Sequence, residues 1–175
     1  LFLLMPQRIF SQDLDYSGIA KELYSPTNLG VVSLPSVLDL EFIFTLLKEI
    51  QLYDHLFIQA PQKYGRSSQN LFSFEIGEYS NPYNLSQISS TFPTLAKLHQ
   101  AYCILYKQIG HYAGFEDLPN TICVHKYPPN SIGIEAHRDF SQFVNLISIF
   151  TLEGEATFSV YSSDNSLFFS DRKIA

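Results

Sequence analysis

The sequence predicts an α+β fold. Two segments ahead of residue 114 carry apolar residues at steps of three and four, the period of a helix with one buried face. After Pro119 the texture changes to short runs rich in Val, Ile, Thr, Phe and Tyr, residues that fit a pleated, half-buried surface. The links between these runs are too short for the helical crossovers of a parallel sheet, so an antiparallel sandwich or barrel is expected. With helices first and strands second, no internal repeat, and 46% of 175 residues hydrophobic, one domain over 1–175 with one core is the simplest partition.

From 5 to 35 the pattern is irregular. Turn signals at Tyr16-Ser17-Gly18 and Ser25-Pro26-Thr27-Asn28, then an apolar run at 31–34, predict a loop-rich lead and one short strand. Ser36 with Asp39 three residues later resembles a capping box. Leu40, Ile43, Phe44 and Leu47 follow at helical spacing, which predicts a helix ending near Ile50. At 71–76, Phe72, Phe74 and Ile76 alternate with Ser73 and Glu75, the period of two of a half-buried strand, and an Asn81-Pro82 turn follows. The clearest helix is expected to start near Thr91 and Pro93, since proline is tolerated in a first turn. Its seam is Leu95, Leu98, Tyr102, Leu105, Ile109 and Tyr112, and Gly114 supplies the stop. Strands are expected at 121–127, 145–152, 156–161 and 166–169.

Composition excludes several classes. The net charge of -6 argues against a general affinity for phosphate backbones, which arises from clustered Lys and Arg; nucleic acid stays one candidate partner, resting on local patches alone. No apolar run approaches the roughly 20 residues of a membrane-spanning helix, and the opening Leu-Phe-Leu-Leu is too short for a signal-peptide core, so no membrane contact and a cytoplasmic location are expected. Cys103 and Cys123 cannot build a disulfide framework or a Cys-x-x-Cys pair and are expected as buried thiols. Neither a Gly-x-Ser-x-Gly elbow nor a Gly-rich phosphate loop occurs. Met5 is either the true start or stands behind missing upstream residues, and the end after Asp171-Arg172-Lys173 reads as a C-terminal cut.

The informative stretch is 124–139, where His137 and Asp139 lie two apart. On an extended backbone both side chains leave the same face, and an imidazole and a carboxylate so placed can take adjacent positions on one metal ion. A surface turn in which Asp139 caps a backbone N–H is the alternative for a bare His-x-Asp.

Residues 124–158 resemble the AlkB-like group of Fe(II)/2-oxoglutarate-dependent dioxygenases. In that group a strand ending in Asn-x-Tyr precedes a Pro/Gly-rich turn, then His-x-Asp, then an apolar strand and a second short strand. The counterparts here are His125-Lys126-Tyr127, the turn at 128–133, His137-Arg138-Asp139, the run 146–152, and Ala156-Thr157-Phe158. The resemblance implies a double-stranded β-helix (jelly-roll) with flanking helices, C-terminally truncated. Within it, 1–119 would supply N-terminal helices and substrate-side strands, and 120–175 the first part of the jelly-roll core. It also implies Fe(II) held by His137 and Asp139, 2-oxoglutarate hydrogen-bonded by Tyr127 with His125 on the cofactor side, and dioxygen as the second co-substrate. The reaction would be hydroxylation or oxidative demethylation. Pro61-Gln62-Lys63-Tyr64-Gly65 is similar to the group's substrate-side loop, and Phe92-Pro93-Thr94-Leu95 to the start of its supporting helix.

Two departures accompany the resemblance. His125 stands where the group has asparagine, and no histidine follows His137, so the group's distal histidine ligand is absent from the sequence given. Arg172, the one arginine after Arg138, lies too early for the group's carboxylate clamp and reads as a solvated end residue. A second reading from a different class is therefore a catalytically incomplete jelly-roll that binds a ligand or partner. Lys63, Tyr64 and Arg66 form an aromatic and basic cluster able to stack on and steer a flat anionic substrate, or to serve as a polar loop. His55, His99 and His111 read as helix-end or solvent-side residues.

Overall fold

The computed structural model describes residues 8–27, 30–59, 72–77, 84–131, 133, 145–161 and 167–174. The first element is one the sequence reading misses. Residues read as a turn signal form the first turn of helix α1 (Tyr16–Leu23), because the Asp15 carboxylate accepts from the Gly18 N–H at 2.9 Å and caps it. The run 31–34 is irregular instead of a strand. Helix α2 (Leu40–Leu52) is capped by Asp39, which accepts from the N–H groups of Glu41 and Phe42. Ser36, the expected cap, sits outside the helix with a left-handed φ of 53°. The buried face of α2 is also rotated from the expected one. Phe42, Leu46 and Glu49 are buried, whereas Leu40 and Phe44 are 81% and 62% exposed.

Strands β1 (Ile58–Gln59), β2 (Phe72–Gly77) and β3 (Thr121–Lys126) form an antiparallel sheet in that order. The β2–β3 ladder brings residues from either side of position 119 into one sheet. Between them run the short helix α3 (Ile88–Thr91) and the long helix α4 (Pro93–Ala113). The helix starts at Pro93 and stops at Gly114, whose φ of 79° is easy only for glycine. At Gly110 an added Cβ would lie 2.4 Å from the Phe115 carbonyl oxygen, so only glycine lets the chain fold back against the helix there. Five of the six expected seam residues are buried; Tyr112 is 56% exposed, and Gly110 and Ala113 take the buried face of the last turn instead.

Two apolar clusters share α4. The first combines Leu38, Phe42, Leu46, Phe74, Ile76, Phe92, Leu95 and Leu98 with the half-buried Ile122 and Val124 of β3. The second packs Ile19 and Ala20 of α1 against Tyr102, Leu105, Tyr106, Ile109 and Ala113. Phe10 and Phe150 touch both clusters.

Strands β4 (Ala156–Tyr161) and β5 (Leu167–Ile174) make an antiparallel hairpin, with β5 longer than the expected 166–169. Residues 146–152 correct another expectation. They alternate like a strand, with Leu146, Phe150 and Leu152 packed inward and Ile147 and Ile149 exposed, but form no ladder among the described residues. What holds the segment is side-chain packing on α4 and a 2.6 Å hydrogen bond from the Tyr102 hydroxyl to Ser148 Oγ. The fold is thus mixed helix and sheet. Among the described residues its strands form a three-stranded sheet and a hairpin, which do not pair with each other. No helix of the described residues is long and apolar enough to cross a membrane.

Candidate functional site

Side chains of a strand alternate between faces, and on β3 this separates packing from chemistry. Ile122 and Val124 turn into the first cluster. The residues that alternate with them, Cys123 and His125, are exposed on the opposite face. Register supplies their neighbours: His125 lies opposite Ser73, which lies opposite Ile58, and Cys123 lies opposite Glu75. Paired positions share a face, so Ile58, Ser73 and His125 form one row across all three strands. The sequence reading did not find this row, although the alternation at 72–76 already put Ser73 and Glu75 on the outer face.

Tyr127 follows at the end of β3, two residues from His125. Its ring stands 6.4 Å from the His125 ring, centroid to centroid, with the planes 80° apart. It is 42% exposed, and partial burial raises its hydroxyl above the usual tyrosine range. The phenol therefore stays protonated at neutral pH and can donate a hydrogen bond to an anion. Lys126, on the alternate face, pairs with Asp54 and lies over the Phe57 ring, 5.6 Å from its centroid, which anchors the end of the strand.

A tight turn follows at once. The Ser131 N–H donates to the Pro128 carbonyl at 3.0 Å, with Pro129 at the second turn position and Asn130 at the third with φ 62°. Proline followed by a left-handed residue is the signature of a type II turn. Ser131 Oγ then accepts from the Gly133 N–H, and Gly133 has φ 78°. The chain thus leaves Tyr127 through two left-handed residues within six positions, heading into the segment that carries His137 and Asp139.

His137 and Asp139 themselves, like Tyr64 and Arg66, lie outside the described residues. The structure therefore brings together His125 and Tyr127 of the predicted set. No protein-family model, curated protein or solved structure matches the chain. Among the described residues no group of three His, Cys, Asp or Glu side chains is placed to hold a metal ion.

The remaining expectations are partly corrected. Cys103 is half-buried and Cys123 exposed, so neither thiol is fully buried, and neither is joined in a disulfide. Cys123 is exposed because it falls on the outer face of β3, which is an edge strand among the described residues. His55 and His111 are exposed as expected, whereas His99 is half-buried with Nε2 3.1 Å from the Pro119 carbonyl oxygen.

Proposed function

We propose that the protein is an Fe(II)/2-oxoglutarate-dependent oxygenase of the AlkB-like kind, with β3 and the β4–β5 hairpin as strands of a double-stranded β-helix and the run 146–152 as the extended segment between them. The observation that carries this reading is the emergence of His125 and Tyr127 at the exposed end of β3, ahead of a tight turn that leads in sequence to His137-Arg138-Asp139. That order of elements is the one the resemblance calls for.

In this reading His137 and Asp139 hold the metal through one imidazole and one carboxylate, two of the three protein ligands of a facial site. Bound Fe(II) supplies dioxygen activation, drawing electrons from the decarboxylation of 2-oxoglutarate. The donor chemistry at the described residues fits the co-substrate. A protonated Tyr127 phenol donates a hydrogen bond to a carboxylate oxygen, and His125 beside it can offer a ring N–H where the AlkB-like group has an amide. Tyr64 and Arg66 would stack on and orient a flat substrate. The product is a hydroxylated C–H bond; on an N-methyl carbon that product collapses and releases an aldehyde.

Succinate formation from 2-oxoglutarate is the test. It is expected to depend on added iron and to vanish in His137→Ala and in Asp139→Ala. Tyr127→Phe should weaken 2-oxoglutarate binding about 10- to 100-fold, the worth of one hydrogen bond to a charged group, without altering stability. Unchanged turnover in either ligand variant ends the proposal. Stoichiometric 2-oxoglutarate binding without succinate would favour a ligand-binding module instead.

A further inference from the structure

Helix α2 is apolar on two sides. Phe42 and Leu46 turn into the first cluster. At about 100° per residue, Leu40, Phe44 and Leu47 lie within about 60° of one another on the opposite side. Leu40 and Phe44 are exposed and Leu47 is half-buried. A surface helix ordinarily turns polar residues outward, so an apolar stripe on the outer side points to a contact surface.

The charges beside the stripe select what fits it. Exposed Glu41 and Lys48 both flank it on one side, about 80° to 100° round the helix from Leu40. Lys48 is kept close to the stripe, with its ammonium 4.5 Å from the Phe44 ring centroid. In an antiparallel pair of α2 helices related by a twofold axis, residues on one flank of a helix meet the same flank of the other. An axis passing between the levels of Phe44 and Thr45 is equidistant from positions 41 and 48. Each Glu41 then stands level with the partner's Lys48, the two Phe44 rings meet at the axis, and each Leu40 faces the partner's Leu47. A parallel pair would instead place Glu41 and the partner's Lys48 on opposite flanks, about 10 Å apart along the axis, and leave both charges unmatched.

We propose that the outer side of α2 is a self-association surface, through which two copies of this chain pair antiparallel about a twofold axis at Phe44, with Glu41 and Lys48 of each copy meeting the opposite charge on the other. The stripe is about two turns long, which places the interface at the small end of the specific range and makes the association reversible, with a dissociation constant of about 10–100 µM. The surface shares no residue with the proposed oxygenase site.

Sedimentation of the full chain between about 5 µM and about 500 µM tests this. The mass is expected to rise from 20.0 kDa toward twice that value, and Phe44→Glu should hold the chain at the monomer mass with its far-UV circular dichroism unchanged. Glu41→Lys and Lys48→Glu each set like charges level across the axis, and each should weaken association about tenfold. An equimolar mixture of these two variants should associate as the unaltered chain does, because opposite charges then face each other at both positions. An unaltered chain that stays monomeric, a dimer that survives Phe44→Glu, or a mixture no better associated than its separate variants would overturn the proposal.

Discussion

The two halves of α4 are held in different ways. Its first half is locked by apolar packing and one carboxylate. Phe92 is 1% exposed, with Tyr53 4.4 Å and Phe74 5.6 Å from its ring centroid. Just beyond, buried Glu49 of α2 accepts from the Thr94 and Leu95 N–H groups at 2.7 and 2.8 Å. Two orphan donors at the positive end of the helix dipole thereby meet a negative charge. The second half relies on tyrosines. Tyr102 stands edge-on to Phe150 and donates to Ser148, Tyr106 packs against Phe115, and Tyr24 donates to the Ala113 carbonyl. The first half thus backs the sheet that presents His125 and Tyr127, while the second holds the irregular segments 115–120 and 145–150. Aromatic rings with a polar end suit that task, since irregular backbone offers hydrogen-bonding groups that no ladder satisfies.

Three changes would break or sharpen the contrast. The largest effect is expected at Phe92→Ala, which removes a ring from a fully packed site and should cost about 3–5 kcal/mol in denaturant unfolding. Next comes alkaline pH, which should act through the second half. Burial raises the Tyr102 hydroxyl to about 12, above its ordinary value of 10. The folded state therefore holds this proton where the unfolded chain has lost it, and stability is intact below pH 10 and falls as pH rises from there to about 12. Tyr102→Phe should flatten that decline by about 2–3 kcal/mol, read from unfolding curves across the interval. An equal decline in the variant would mean that another group carries it. The smallest effect is expected at Glu49→Gln, which keeps one acceptor but loses the charge. It should cost about 1–2 kcal/mol at neutral pH, and a neutral result would show that dipole and charge contribute little there.

Legibility followed the strength of the local signal. Pro93 and Gly114 mark the ends of α4 through backbone chemistry that acts wherever they stand, and Phe72, Phe74 and Ile76 announce β2 by alternation alone. Helix α1 escaped notice because Asp15, Ser17 and Gly18 suit a turn as well as a capped first helical turn, and packing of Ile19 and Ala20 against α4 tips the choice to the helix. On α2 the apolar residues surround most of the helix, so periodicity could not say which face would be buried. Residues 146–152 have the composition of a strand, yet pairing is a property of a neighbour. Near the candidate site, the strand that carries His125 was legible from its composition, whereas the row through Ser73 to Ile58 needed the register between strands far apart in sequence.

By itself the sequence determined where the main helix begins and ends, which segments favour extended backbone, and the order in which His125, Tyr127, His137 and Asp139 occur. Those are local matters of dihedral preference, side-chain alternation and spacing. Only the tertiary structure decided the buried side of α2, the capture of the α4 N-terminus by Glu49, the Pro119 contact that orients His99, and the neighbours of His125 across the sheet. Each of these joins residues twenty or more positions apart, and no local preference encodes which of many distant partners will win the competition to exclude water.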